Sequence, residues 1–477
     1  MSVAKIESRI GRRKLLVGAA ALAGVASLAA CAPETATPPS VAPAQAPAKA
    51  DAKPGTASTT VAIAGKPAAP RLVGAIVQAS WTEAGMRAAT AVYNEQIKDK
   101  GYSINLEDTA TGWEQKVLSM IKDKSLMWSG HGYVPFFNEY AYIKSGLAAP
   151  IDDYIKNSSV PWAKDYKTAF ITPGTYEGTF FEGKQYFIPM KQEIHLLGYR
   201  ADYAKEIGVE KMPETWDEFE KVLTEAKKAL GPKGITPFFV RTEFYRTIGT
   251  TFATYRHDFF DEKGVFRLDS PEFYDVINMY NRWYKNGLFT KDTFTGDTTL
   301  WEKGKVFAGV DSHKWVRDAK KIWGTDKIAG AIPPQPKKTD KPRTFVGKCN
   351  GFVFPGAPDP QAACDWMLNI FGPEGKAAET WYTNVTNISG GPVHKGMLEK
   401  VVTGNKDYPE LAEWSTRLLP NSNLLPSNIG YSYNATQAKI WPWMEKFWNG
   451  EVSDKEAITG LTKEIQGELD KSILRQQ

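Results

Sequence analysis

An acidic residue lies inside an apolar segment of this chain, GKQYFIPMKQEIHLLGYR, which otherwise looks like a strand entering a core. The carboxylate of Glu193 in this segment has three roles open to it: a surface charge, a catalytic acid, or a hydrogen-bond acceptor for a molecule outside the chain. Trp81 and Glu83 lie in SWTEAG, after an apolar run and before a helical pattern. Open α/β sheets usually hold ligands at such a position. The structural alternative is that Glu83 stabilises the helix dipole and Trp81 fills the core.

Motifs of catalysis are absent from the sequence. The five histidines, His131, His195, His257, His313 and His394, are scattered and show no H-E-x-x-H spacing, and no G-x-S-x-G segment is present. Among 54 acidic residues, carboxylate pairs arise by chance, and no spacing singles out two for glycoside hydrolysis. We therefore expect no enzyme, no metal site and no cofactor. An exported carbohydrate-active enzyme remains the alternative in that class.

Hydrophobic periodicity and helix caps predict the elements that position these residues. The apolar run LVGAIVQA is followed by a helical pattern and by the alternating GYSINLED, which predicts a β-α-β unit with parallel strands. Thr215 with Glu218, and Ser453 with Glu456, form capping boxes before two amphipathic helices. A strand in TFVGKCNGFVFPG precedes a helix in DPQAACDWMLNIFG. At 477 residues the chain should form two lobes, since single cores rarely exceed about 250–300 residues.

Residues 1–30 predict an export signal. A basic segment with Arg12 and Arg13 precedes an apolar run of 16 residues, too short for the roughly 20 residues that cross a bilayer. The LAAC that ends at Cys31 resembles the lipobox of bacterial lipoproteins, which implies cleavage before Cys31 and lipidation of its thiol. The arginine pair favours twin-arginine export, but Gly11 and Leu15 depart from that motif, so the general secretory route stays open.

Residues 31–70 are dominated by Ala, Pro, Thr and Ser and contain no aromatic residue. After the lipidated cysteine we therefore expect a disordered tether. Without residues 1–30 the chain keeps 54 basic and 53 acidic side chains. This near-neutral mature chain gives no indication of nucleic-acid binding.

The rest of the chain, nearly all of 71–472, resembles the extracellular solute-binding proteins of ABC importers, family 1, which includes the maltodextrin-binding proteins. The resemblance is carried by GKQYFIPMKQEIHLLGYRADYAKEIGV with PETWDEFEKV, then by WEKGKVFAGVDSHKW, IAGAIPPQP, GFVFPGAPDP, GGPV and WNGEVSDKEAI. It implies an α/β fold of the periplasmic-binding-protein type II kind, with two lobes, a hinge and an interlobe ligand cleft. Lobe one would comprise residues 71–191 and about 347–393, and lobe two about 192–346 and 394–477. The segment KDKSLMWSGHGYVPFF departs from the family pattern, so ligand residues in 128–137 stay open.

The resemblance also implies ligand contacts. Glu193 falls where maltodextrin-binding proteins place a sugar-binding carboxylate in a hinge strand, and Glu243-Phe244-Tyr245 resembles the family's Glu-Pro-Tyr, whose outer residues contact sugar. Trp315 lies where the family carries a stacking tryptophan. Carboxylates and rings suit a neutral sugar, which offers hydroxyls and apolar C–H faces. The expected ligand-binding residues are Glu193, Tyr245, Trp315, Glu243, Trp81 and Glu83, with His131, Tyr133, Asp311 and Tyr433 as further candidates.

By this resemblance the protein would be a monomer, anchored by lipid to the outer face of the membrane or on its periplasmic side. It would capture a mono- or oligosaccharide between its lobes and deliver it to ABC permease subunits. An envelope-tethered sugar receptor for signalling or adhesion would use the same cleft and remains an alternative. Once Cys31 is lipidated, Cys349 and Cys364 could form a disulfide in an oxidising exterior or remain buried free thiols.

Overall fold

Alternating strands and helices build a ten-stranded mixed sheet. The computed structural model describes residues 70–78, 83–109, 111–256, 258, 260–261, 264–295, 298–386, 391–402, 410–424 and 430–471, all within the unit Pro67–Gln477. The predicted export signal, Cys31, the tether and Trp81 lie outside the described residues.

The strands are β1 Arg71–Gln78, β2 Tyr102–Thr109, β3 Trp128–Pro135, β4 Phe180–Phe181, β5 Lys184–Gln185, β6 Ile188–Arg200, β7 Thr236–Arg241, β8 Phe294–Thr295, β9 Val306–Ser312, β10 Ile328–Ala331, β11 Phe345–Val353 and β12 Asn423–Leu424. The helices are α1 Glu83–Gln96, α2 Trp113–Lys122, α3 Glu139–Lys144, α4 Asp152–Lys156, α5 Pro173–Glu177, α6 Ala201–Glu206, α7 Trp216–Leu230, α8 Ile248–Tyr255, α9 Pro271–Lys285, α10 Thr299–Glu302, α11 His313–Trp323, α12 Pro360–Ile370, α13 Lys376–Thr386, α14 Lys395–Met397, α15 Glu410–Arg417, α16 Gly430–Trp448 and α17 Asp454–Lys471.

The sheet runs in the order β2-β1-β3-β11-β6-β9-β7-β8, with β12 added to β11 and β10 added to β6. The first strands are parallel, with Arg71 opposite Tyr102, which confirms the predicted β-α-β unit. β6 is antiparallel to its three partners and changes partner along its length: its first half pairs with β11, and its second half pairs with β9 and β10. One continuous strand therefore connects two groups of parallel strands, β1 to β3 and β7 to β9.

The predicted helix caps are present. The Thr215 hydroxyl accepts a hydrogen bond from the Glu218 amide at the start of α7. At α17 the Glu456 carboxylate accepts from the Ser453 amide at 2.8 Å, and the Ser453 hydroxyl accepts from the Glu456 amide at 3.2 Å. These reciprocal bonds satisfy amides that a helix start leaves without partners.

Two large hydrophobic cores lie on either side of β6, the strand that connects the two groups. One packs α1, α12 and α13 against β1 and β11, with Trp366 and Trp381 fully buried. The other packs α7, α9, α16 and α17 around β7, with Trp216 and Trp283 fully buried. Cys349 and Cys364 are both buried free thiols. Of the two predicted alternatives, the structure therefore has the free thiols and not the disulfide. Across the described ranges, no helix has the length and apolarity to cross a membrane.

A buried ion pair ties β11 to α3. Lys348 Nζ lies 3.0 Å from Glu139 Oε2, and the side chains are 2% and 0% exposed. The Asn350 amide also donates to Glu139, and Lys348 donates to the Gly178 carbonyl. Burial raises the pKa of Glu139 and lowers the pKa of Lys348, and the charge of each partner opposes the shift of the other. Each group of the pair thus depends on the other to remain charged away from water.

Candidate functional site

Side chains on one face of β6 form the first part of the candidate site. Because successive residues of a strand point to opposite faces, Lys191, Glu193 and His195 share a face. Glu193 lies opposite Gly347 of β11, and His195 lies opposite Ser312 of β9. The three side chains therefore stand where β6 changes partner, between the two groups of parallel strands.

Glu193 belongs to a cluster of six charged side chains. Its carboxylate is 18% exposed and lies 3.7 Å from Lys191 Nζ and 3.7 Å from Arg246 Nη1. Burial alone would raise the pKa of Glu193, but the positive charges of Lys191 and Arg246 lower it to about 2. The predicted ligand residue is thus an ionised hydrogen-bond acceptor near neutral pH, not a proton donor.

Two further carboxylates complete the cluster. Arg246 Nη1 lies 2.5 Å from Asp311 Oδ1, and Arg241 holds Glu243 in a bidentate pair at 2.8 and 3.0 Å. Burial would raise the pKa of Asp311, but Arg246 and Arg241 keep it below its ordinary value. Three acids and three bases therefore balance within one region, and the acids come from β6, β9 and the segment after β7.

Aromatic rings border the charges. Tyr245 lies edge-on to Phe136 at 5.4 Å and tilted against Tyr433 at 5.6 Å, while the ring of Phe137 stacks on Tyr433 at 5.3 Å. The Arg246 guanidinium lies 5.0 Å from the centre of the Tyr245 ring. Charged acceptors and flat rings thus meet at one place, as hydroxyl groups and C–H faces would require.

His195 has a defined tautomer in this site. The Thr250 hydroxyl donates to the Tyr245 carbonyl at 2.7 Å, so it must accept from His195 Nδ1, which is also 2.7 Å away. Burial lowers the pKa of His195 to about 4. Its Nε2 is therefore an acceptor, and it is buried without a hydrogen-bond partner in the described part of the chain.

Glu83 and the four further candidates differ in where the structure places them. Burial raises the pKa of Tyr133, and the charges of Cys349 and Glu193 raise it further. His131 instead lies in a core, where its ring stacks on Phe352 at 5.4 Å. Glu83 is the first residue of α1, and among the described residues its ion pair is with Arg87 at 2.9 Å and not with a member of the cluster. Tyr433 and Asp311 are part of the site.

Trp315 does not reach the cluster, contrary to expectation. Its ring is 5% exposed, stacks on Phe239 at 5.8 Å and lies 4.0 Å from Trp301. Gly198 and Gly309 leave room for the ring against the sheet, since an added Cβ would meet it at 2.9 and 2.8 Å. Because Gly198 lies on the face of β6 opposite Glu193 and His195, the ring packs behind the site. The burial of Trp315 removes the support for a stacking role.

Lys191, Arg241, Arg246 and His195 were not predicted as site residues. Two signals for them are in the sequence: Lys191 and His195 lie two residues from Glu193, and Arg246 follows Tyr245 directly. A period of two along a strand places Lys191 and His195 beside Glu193. The pairing of Arg246 with Asp311 depends on tertiary contacts and has no local signal.

Solved structures of several sugar-binding proteins share this fold. MalE, the sugar-binding protein of Xanthomonas citri, is 15% identical with a TM-score of 0.68, covering 84% of this chain and 98% of that one. A cyclo/maltodextrin-binding protein complexed with maltotetraose is 16% identical with a TM-score of 0.65, covering 85% and 98%. The GacH receptor of Streptomyces glaucescens, solved without ligand and with acarbose, is 16% identical with a TM-score of 0.63, covering 84% and 100%.

These matches confirm the expected periplasmic-binding-protein type II fold, with two α/β lobes. The family model for bacterial extracellular solute-binding proteins matches residues 78–377, which is more than half of the chain. The predicted family resemblance is therefore confirmed. The chain belongs to the family of bacterial extracellular solute-binding proteins, and it acts outside the cytoplasm as a binding protein and not as an enzyme.

Proposed function

We propose that this protein captures a carbohydrate between two lobes and delivers it to the transmembrane subunits of an ABC importer. The observation that carries the proposal is the meeting of three carboxylates, Glu193, Glu243 and Asp311, with the rings of Tyr245 and Tyr433. Carboxylates accept hydrogen bonds from sugar hydroxyls, and rings cover apolar C–H faces. The sugar-binding proteins that share the fold support the same ligand class.

We also propose the lobe boundaries expected from the sequence: residues 71–191 with about 347–393, and about 192–346 with 394–477. The change of partner along β6, between Ile194 and His195, supports a crossing at this strand. A ligand that contacts both lobes would favour the closed form by its differential affinity. Glu193 would then contact the ligand from the crossing strand itself.

A thermal-shift screen of the purified protein tests the carbohydrate. The probes are maltotetraose, acarbose and a set of monosaccharides, with amino acids and sugar phosphates as other solute classes. We expect at least one neutral carbohydrate to raise the melting temperature, because a ligand at a hundred times its Kd adds about 2.7 kcal/mol to the free energy of unfolding. A rise with another solute class and none with carbohydrates would overturn the assignment.

We propose further that Cys31 is lipidated and anchors the protein to the membrane through the Ala- and Pro-rich segment 31–70. Replacing Cys31 with serine is expected to move the protein from the membrane fraction to the soluble fraction, since a serine hydroxyl cannot take the thioether-linked lipid. The measurement is fractionation followed by immunoblotting. Cys349→Ser is the control and should stay with the membrane, because that thiol is buried in the fold. Membrane retention of Cys31→Ser would refute the anchor.

A further inference from the structure

Arg246 contacts all three carboxylates of the candidate site. Its Nη1 lies 2.5 Å from Asp311 Oδ1 and 3.7 Å from Glu193 Oε1, and its Nε lies 3.8 Å from Glu243 Oε1. The Nε atom is buried and has no hydrogen-bond partner among the described residues. A single guanidinium thus connects carboxylates from β6, β9 and the segment after β7.

The other two bases of the cluster have different ion pairs. Lys191 lies 3.7 Å from Glu193, and Arg241 lies 2.8 Å from Glu243 and 3.8 Å from Asp311. Lys191 therefore compensates the charge of Glu193, and Arg241 compensates the charges of Glu243 and Asp311. Arg246 contacts both Glu193 and Asp311, so its removal would affect these two carboxylates together.

Neighbouring buried carboxylates do not remain ionised without a compensating charge. Desolvation and mutual repulsion both favour protonation, and a protonated carboxyl loses acceptor capacity and gains a donor. A guanidinium is a suitable partner because it keeps its charge at any ordinary pH and presents several donors in a rigid plane. The carboxylates around Arg246 can therefore stay close together as acceptors.

We propose that Arg246 is a positioning residue of the candidate site, which holds Glu193, Glu243 and Asp311 together as hydrogen-bond acceptors for one ligand. The proposal rests on the proposed function for the nature of the ligand. The ionisation of the carboxylates can be tested without any ligand.

Other titratable groups around Glu193 do not change charge near neutral pH. Burial lowers the pKa of His195 to about 4 and that of His313 to about 3, so both rings stay neutral. The remaining charged or titratable groups that face the cluster are Lys191, Arg241, Arg317, Tyr133, Tyr245, Tyr433 and Cys349. Burial raises the pKa of each of these three tyrosines and of Cys349, so they too stay neutral.

The direction of the pH effect follows from Glu193. Burial raises its pKa, while Lys191, Arg246 and His195 bring it down to about 2, below the ordinary 4.5. Wild-type Glu193 therefore stays ionised as the pH falls from neutral until it approaches that low value. Arg246 is one of the two largest effects that lower the pKa of Glu193. Its removal should therefore raise that pKa.

The experiment is a titration of the ligand-free protein by NMR with ¹³C-labelled glutamate side chains. The Glu193 resonance is assigned as the one missing from Glu193→Gln. We expect its midpoint, about 2 in the wild type, to move upward in Arg246→Met, while Lys191 still lowers it in both proteins. Arg246→Lys should restore a low midpoint, because it returns a positive charge. Arg241→Met, which removes a base paired with Glu243 and Asp311, should leave the Glu193 midpoint in place.

An unchanged Glu193 midpoint in folded Arg246→Met would overturn the proposal, as would an equal shift in Arg241→Met. If Arg246→Met does not fold, Arg246→Gln keeps a hydrogen-bonding side chain without the charge and gives the same test. As the pH falls, the best carbohydrate from the screen should then lose affinity at a higher pH for the variant than for the wild type, since Glu193 takes up its proton at a higher pH in the variant. A screen in which no carbohydrate binds would count against the proposed function alone, since the titration uses no ligand.

Discussion

Replacing Glu193 with glutamine is expected to weaken carbohydrate binding by about 10- to 100-fold, because hydrogen bonds to a charged group contribute about 1.5–3 kcal/mol. Glutamine keeps the shape of the side chain but turns one acceptor oxygen into a donor. It also removes the negative charge that Lys191 and Arg246 face at 3.7 Å. Isothermal titration calorimetry with the best ligand from the screen gives the Kd of variant and wild type.

Glu379→Gln is the matched control, because that carboxylate is exposed and pairs with Lys400 outside the site. Its Kd should equal that of the wild type. The melting temperature of both variants without ligand separates a binding effect from a loss of stability. Equal affinity of Glu193→Gln and wild type would remove Glu193 from the binding site.

Replacing Glu139 with alanine is expected to lower the free energy of unfolding by about 3–5 kcal/mol, since it leaves Lys348 charged and unpaired in the interior. Glu139 is fully buried and lies 3.0 Å from Lys348, and it also accepts from Asn350. The measurement is urea unfolding followed by fluorescence of the tryptophans. Ligand affinity of the folded fraction should not change, because the pair lies in α3 and β11 and not among the cluster around Glu193.

The double variant Glu139→Leu with Lys348→Met shows whether Glu139→Ala loses stability because Lys348 is left unpaired or because the side chain becomes smaller. Replacing both charges with apolar side chains of similar size is often neutral or stabilising, so we expect it to recover most of the stability. A loss of less than about 1 kcal/mol in the unfolding free energy of Glu139→Ala would contradict this prediction, since an exposed ion pair contributes that much.

Elements with local signals were predictable from the sequence. The capping boxes at Thr215 and Ser453 and the apolar stripes behind them fix α7 and α17, because a helix start and a helix face depend on residues three or four apart. The β-α-β opening followed from alternating and helical periods in turn. The position of β11 between β3 and β6 did not, since the pairing of distant strands leaves no local pattern.

The site was predictable only in part, for a related reason. Family position identified Glu193, Glu243 and Tyr245, which the structure brings together with Arg246. The same reasoning placed Trp315 at the ligand, because sequence position does not show which way a ring turns at the start of a helix. Gly198 and Gly309 were the available signal, since small residues on adjacent strands make space for a large ring.

The place of β11 in the sheet also governs the order in which the molecule can fold. β3 and β6 are not neighbours; both pair with β11, which begins at Phe345, long after β6 has ended at Arg200. During synthesis, the amino-terminal half therefore lacks its central strand until most of the polypeptide has left the ribosome. Contacts this distant in sequence form slowly. The nascent chain consequently spends longer in an unfolded form, the state in which a polypeptide can be threaded through a narrow translocation channel.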